Sequence, residues 1–80
     1  MENKRWQFNE KQLTEWEFLK TNSGWWDGYV EGVRFHINPA LKAIAMHTRD
    51  SEQWIGIHGV KSTEQLKTLA RLVGVGHLRL

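Results

Sequence analysis

Val33-Arg-Phe-His-Ile-Asn-Pro-Ala-Leu-Lys-Ala-Ile-Ala-Met-His47 decides the fold of this chain, because two alternating runs meet at an Asn-Pro reversal. Side chains on a strand point alternately to its two faces, so Val33, Phe35 and Ile37 share one side while Arg34 and His36 share the other. Asn38-Pro39-Ala40-Leu41 has turn chemistry, with Asn at the first position and Pro at the second. That turn sets a predicted register in which Phe35 faces Ile44, Val33 faces Met46 and His36 faces Ala43. A second reversal at Arg49-Asp50-Ser51-Glu52 brings a third strand alongside. It places Met46 opposite Ile55, Ile44 opposite Ile57, Ala43 opposite His58 and His47 opposite Trp54. Both turns put Val33, Phe35, Ile37, Ile44, Met46, Ile55 and Ile57 on a single face.

Helices are expected on either side of these strands. Ser62 caps one, with Gln65 completing a capping box, and Leu66, Leu69, Ala70 and Val73 form its apolar stripe. Gly74 is the natural left-handed residue after it, and His77 to Leu80 add a short edge strand or fray. Upstream, Asn9 caps a helix with Gln12 as reciprocal partner, while Phe8 and Leu13 form a hydrophobic staple. Leu13, Trp16 and Leu19 then recur on one side; the competing reading is a strand over residues 16–19. Trp25-Trp26-Asp27-Gly28-Tyr29-Val30 is either a small hairpin turning at Asp27-Gly28, or a loop whose Trp residues close one end of the core. The expected architecture is α+β in two layers, in the order α-β-β-β-α, with a three-stranded antiparallel sheet and helices packed on it. Residues 1–80 form one domain, with a core over 9–75 and frayed ends at 1–5 and 76–80.

Composition narrows the functional classes. Five Trp, three Phe and one Tyr in 80 residues supply a large apolar area for so short a chain. The absence of Cys excludes disulfides, thiolate nucleophiles and Cys-based zinc sites, and favours a reducing, cytoplasmic setting. No apolar run is long enough to cross a bilayer, so no membrane partner is expected. The net charge is +2, and the excess falls in the last quarter, where Lys61, Lys67, Arg71 and Arg79 stand against Glu64.

No nucleophile elbow, metalloprotease motif or phosphate-cradling glycine loop is present, so no enzyme, no catalytic residue and no cofactor is expected. Four His invite a metal reading, but the register sets His36 and His58 two strand spacings apart, roughly 9–10 Å, too far for one ion. No metal site is expected. The face opposite the core carries Arg34, His36, Ala43, Ala45, His47, Trp54, Gly56 and His58. It is either a recognition surface or a second small core beneath the N-terminal helix or the Trp25-Trp26 segment.

The favoured expectation is a protein–protein interaction module, an adaptor or inhibitor of a larger protein, that also self-associates as a homodimer. Its candidate partner-binding residues are Trp54, Arg34, His36, His47, His58, Trp25 and Trp26. The alternative is a nucleic-acid-binding domain using Arg34, Arg49, Lys61, Lys67 and Arg71. In order of elements, the chain resembles double-stranded-RNA-binding domains, with Gly59 to Lys67 where those place a basic helix start. They present Lys-Lys-x-Ala-Lys there, whereas this chain has Lys61, Glu64 and Lys67. The β-β-β-α portion is also similar in order to small domains that lay a three-stranded sheet in the major groove. That resemblance implies base contacts from Arg34, His36, Trp54 and His58.

Overall fold

A computed structural model describes residues 5–47 and 53–78, with side chains to residue 73. The sheet has five strands, not three. In chain order the elements are α1 (Glu10–Glu15), β1 (Leu19–Lys20), β2 (Trp26–Val30), β3 (Val33–Asn38), β4 (Ala43–His47), β5 (Trp54–Ile57) and α2 (Thr63–Leu78). Neighbours in sequence are neighbours in space, so the strands form an antiparallel meander in the order β1-β2-β3-β4-β5.

Of the two extra strands, β1 comes from the end of the expected N-terminal helix and β2 from the stretch read as a small hairpin or a loop. Asp27-Gly28 lies inside β2, and the chain reverses at Glu31-Gly32 instead. Glu31 at φ 52° and Gly32 at φ 81° both adopt the left-handed conformation that a two-residue type I′ hairpin requires. Trp26 therefore faces Ile37, and Gly28 faces Phe35. Gly28 serves packing: a Cβ there would lie 2.5 Å from Cγ of Phe18, whose ring occupies that space. β1 joins β2 through a loop closed by Thr21, whose N–H (2.8 Å) and hydroxyl (2.7 Å) both donate to the Trp25 carbonyl.

Residues 10–20 are a helix followed by a strand. The Asn9 carboxamide accepts from the Gln12 N–H at 2.8 Å, and Phe8 and Leu13 are both buried. The helix ends after two turns because Glu17 turns left-handed, φ 66°. Glu17 N then donates to Thr14 O and Phe18 N to Leu13 O, each at 2.9 Å, the paired bonds of a Schellman motif. That cap swings Phe18 into the core and leaves Leu19 exposed, so Leu19 does not continue a helical stripe with Leu13 and Trp16.

The β4–β5 register agrees with expectation: Ile44 faces Ile57, Met46 faces Ile55 and His47 faces Trp54. The β3–β4 register is shifted by two residues, with Phe35 opposite Met46, Ile37 opposite Ile44 and His36 opposite Ala45 rather than Ala43. The reason is Pro39. Its fixed negative φ cannot serve a two-residue primed turn. The loop takes the four residues 39–42 and closes on Lys42 at φ 55°, with the buried Asn38 side chain accepting from Leu41 N. A shift of two leaves every side chain on its expected face. His58 lies beyond the end of β5 and has no ladder partner opposite Ala43. The expected reversal at residues 49–52 falls outside the described residues.

α2 starts as its sequence indicates, with Ser62 Oγ accepting from Gln65 N at 3.3 Å; the Gln65 carboxamide in turn accepts from Lys61 N at 2.7 Å. It runs through Gly74 to Leu78, so Gly74 does not stop it and no strand forms at residues 77–78. It packs on β2 and β3. Leu66 and Ala70 enter the core with Phe8, Leu13, Phe18, Trp26, Val30, Phe35, Ile37 and Ile44, while Leu69 only borders it. Because α2 sits over the centre of the sheet, Ile55 on the β5 edge stays exposed although it points to the core side.

Candidate functional site

The helices and core occupy one face of the sheet and leave the other open. By alternation that open face carries Leu19, Trp25, Asp27, Tyr29, Arg34, His36, Ala43, Ala45, His47, Trp54 and Gly56. At its centre is a connected polar and aromatic cluster. The Asp27 carboxylate accepts from Arg34 Nε at 2.8 Å and from its terminal nitrogen at 3.2 Å, and lies 3.1 Å from His36 Nε2. The His36 ring stacks on Trp54 with centroids 3.9 Å apart and planes at 25°. His47 meets the same indole edge-on at 4.9 Å, and the Arg34 guanidinium lies 5.5 Å from it. Trp25 approaches His36 from the other side at 6.3 Å.

The small residues explain this arrangement. Trp54 sits on β5 and His36 on β3, so their rings can stack only if the indole reaches across β4. On this face β4 presents Ala43 and Ala45, which leave room for a ring to lie flat; a larger side chain there would hold Trp54 away from the sheet. The small residues therefore lie beside Trp54 rather than under a helix.

The charges are largely balanced within the cluster. The Arg34 hydrogen bonds hold the Asp27 carboxyl below the usual carboxylate range. Burial pushes His36 below its ordinary value, against the attraction of Asp27 and with the added repulsion of Arg34. A neutral His36 then donates its Nε2–H to Asp27, so one carboxylate orients both side chains. The Arg34–Asp27 pair is partly exposed and contributes on the order of 1 kcal/mol. Its larger effect is to fix the guanidinium beside Trp54. Around this centre Leu19 is 72% exposed, Tyr29 65% and Trp54 39%.

Of the residues singled out by sequence, the structure brings together Arg34, His36, His47, Trp54 and Trp25. His58 is exposed near the cluster, its Nε2 3.8 Å from where a Cβ on Gly56 would stand. Trp26 does not belong: it points into the core and is 6% exposed. The nucleic-acid set is dispersed. Arg34 is bound to Asp27, Arg71 reaches Glu31 at 3.3 Å, and Lys67 lies 5.9 Å from the Trp16 ring on the helical layer. Arg49 falls outside the described residues. Sequence reasoning missed Leu19 because it reads as part of the helical stripe with Leu13 and Trp16, and Asp27 and Tyr29 because their stretch reads as a hairpin or a loop. The alternation of Trp26, Gly28 and Val30 against Asp27 and Tyr29, stopping at Glu31-Gly32, is the signal that finds them.

Among the described residues, no group of three or more His, Asp or Glu side chains is placed to hold a metal ion, and no helix is long and apolar enough to cross a membrane. Comparison of the chain with protein-family models, curated proteins and solved structures finds no match.

Proposed function

We propose that this chain is a non-catalytic protein-binding module that engages its partner through the open face of the sheet, with Trp54 as anchor. The observation that carries the reading is the indole stacked on His36, flanked by His47 and Arg34, and still accessible. Binding hot spots are enriched in Trp, Tyr and Arg, and an aromatic anchor already held in place loses little freedom on association. Asp27 compensates Arg34, so the face offers shape and apolar contact without a strong single-sign field. That balance favours a protein surface over a phosphate backbone, which needs cations free to replace counterions.

The test compares two single variants in cross-linking and capture experiments. Trp54→Ala removes the anchor, while Leu72→Ala removes an exposed apolar side chain on α2, in the helical layer. Truncating a hot spot weakens binding by about 2 kcal/mol or more, roughly thirtyfold. The expected result is loss of the captured partner with Trp54→Ala, retention with Leu72→Ala, and cooperative melting in both. Equal loss in the two variants, or none in Trp54→Ala, removes the open face from the reading. Light scattering of the free chain shows whether the partner is a second copy.

A further inference from the structure

A separate cavity of about 530 Å³ opens where the N-terminal segment crosses the exit of β5. Its lining includes three permanent cations, Arg5, Lys42 and Lys61, together with His58, and no acidic residue. Only His58 is shared with the candidates of the open face. Three elements distant in sequence converge here. The Gln7 N–H donates to the Lys61 carbonyl at 2.7 Å and ties the N-terminal segment down. Gly59 turns left-handed at φ 88°, and Lys42 occupies the left-handed corner of the β3–β4 loop. The rest of the lining is apolar, from Trp6, Ile57 and Val60, and the Trp6 ring is braced edge-on by Phe8 at 5.1 Å.

Among the described residues, carboxylates engage Lys20, Arg34 and Arg71, and none engages Arg5, Lys42 or Lys61; the other two cations without a carboxylate partner, Lys11 and Lys67, do not line the cavity. Three uncompensated cations around one concavity repel each other and focus positive potential into it. Cations on one side and an indole with aliphatic neighbours on the other match a ligand with an anionic end and a flat, apolar body. The volume is that of a small-molecule site.

We infer that this cavity binds a phosphorylated small molecule of mononucleotide size, its phosphate among Arg5, Lys42 and Lys61 and its ring against Trp6. The inference is independent of the reading of the open face. It is tested by titrating the full ¹⁵N-labelled chain at constant ionic strength with adenosine monophosphate, inorganic phosphate, adenosine and a short single-stranded oligonucleotide. The expected result is saturable shifts at the Trp6 indole, Gly59 and Lys61. Adenosine monophosphate should bind about tenfold more tightly than phosphate or adenosine alone. The double variant Lys42→Gln/Lys61→Gln should weaken it at least about tenfold while leaving the dispersed spectrum, and so the fold, intact. The inference is overturned by no saturable shift at these residues, by unchanged affinity in the double variant, or by adenosine binding as tightly as its monophosphate. Phosphate matching the nucleotide would remove the role given to Trp6. Tighter binding of the oligonucleotide at the same residues would reassign the cavity to nucleic acid.

Discussion

Gly28→Ala tests the packing that makes β2 a strand. A Cβ at position 28 would stand 2.5, 2.6 and 2.8 Å from Cγ, Cδ1 and Cδ2 of Phe18, so it would press into the ring itself. Carbon atoms rest about 3.5–4.0 Å apart, so ring or strand must move by roughly an ångström. Phe18 is poorly able to yield, because it is buried and its backbone N–H is fixed to Leu13 O by the helix cap. Overpacking of this kind costs about 1–3 kcal/mol. Replacing Gly by Ala within a strand returns roughly 0.5–1 kcal/mol of backbone entropy. Taking the middle of both ranges, the net expectation is a loss of about 1 kcal/mol, or roughly 4–8 °C in Tm for a domain of this size. Urea unfolding followed by Trp fluorescence measures it. The decisive comparison repeats the substitution in a Phe18→Ala background, itself costing about 3–5 kcal/mol. With the ring gone, Gly28→Ala should change sign and stabilise the chain. The reasoning fails if Gly28→Ala costs nothing, or costs the same in both backgrounds.

Four further outcomes follow from the same structure. Leu66→Ala should cost about 2–5 kcal/mol because Leu66 is fully buried between α2 and the sheet, and Ile44→Asp should abolish folding by burying an unpaired charge; a cooperative native-like melt of Ile44→Asp would refute the core assignment. Glu17→Gly should stabilise by up to about 1 kcal/mol, since Glu17 occupies a left-handed position that glycine adopts without strain; a lower denaturation midpoint would contradict the cap. Stability should fall with acid in two stages. The unfolded chain protonates its histidine from about pH 6.5 downward, while His36 in the fold resists until a lower pH, so the loss begins near 6.5. Asp27 adds a second loss below about 3.8, complete only once its own depressed pKa is passed. His36→Gln should flatten the upper stage, and an unchanged slope between pH 6.5 and 5 would show that His36 does not set it.

What the sequence disclosed and what it hid divide along local and distant causes. The caps at Asn9 and Ser62, the face of each residue in β3, β4 and β5, and the β4–β5 pairing all follow from neighbouring residues. The errors gather where the chain reverses on a charged residue. Glu17, Glu31 and Lys42 all have positive φ, a conformation usually left to Gly or Asn, and they end α1, close the β2–β3 hairpin and close the β3–β4 loop. None carries a local sign of that conformation beyond the glycine after Glu31. Gly28 misled for the complementary reason: its role is set by Phe18, in the cap between α1 and β1, and beside Asp27 it reads as a turn. The open face was legible through Trp54, Arg34 and His36, but its organising carboxylate, Asp27, was lost with the strand that carries it.

The distribution of charge gives the two surfaces different physical signatures. On the open face and the nearby hairpin, Arg34 and Arg71 are matched by Asp27 and Glu31. Arg5, Lys42 and Lys61 stand together around the cavity, and the whole chain carries a net charge of only +2. Among the described residues, the cavity thus gathers three of the five cations that no carboxylate engages. Exposed charges are screened beyond about 8–10 Å at physiological salt, whereas apolar contact around Trp54 is not weakened by salt. Raising salt should thus release a ligand held in the cavity and spare a partner held on the open face. Trp54→Ala should act on the second alone, and Lys42→Gln/Lys61→Gln on the first alone. One interaction sensitive to both variants would mean that a single partner spans the face and the cavity through His58, the one residue common to the two.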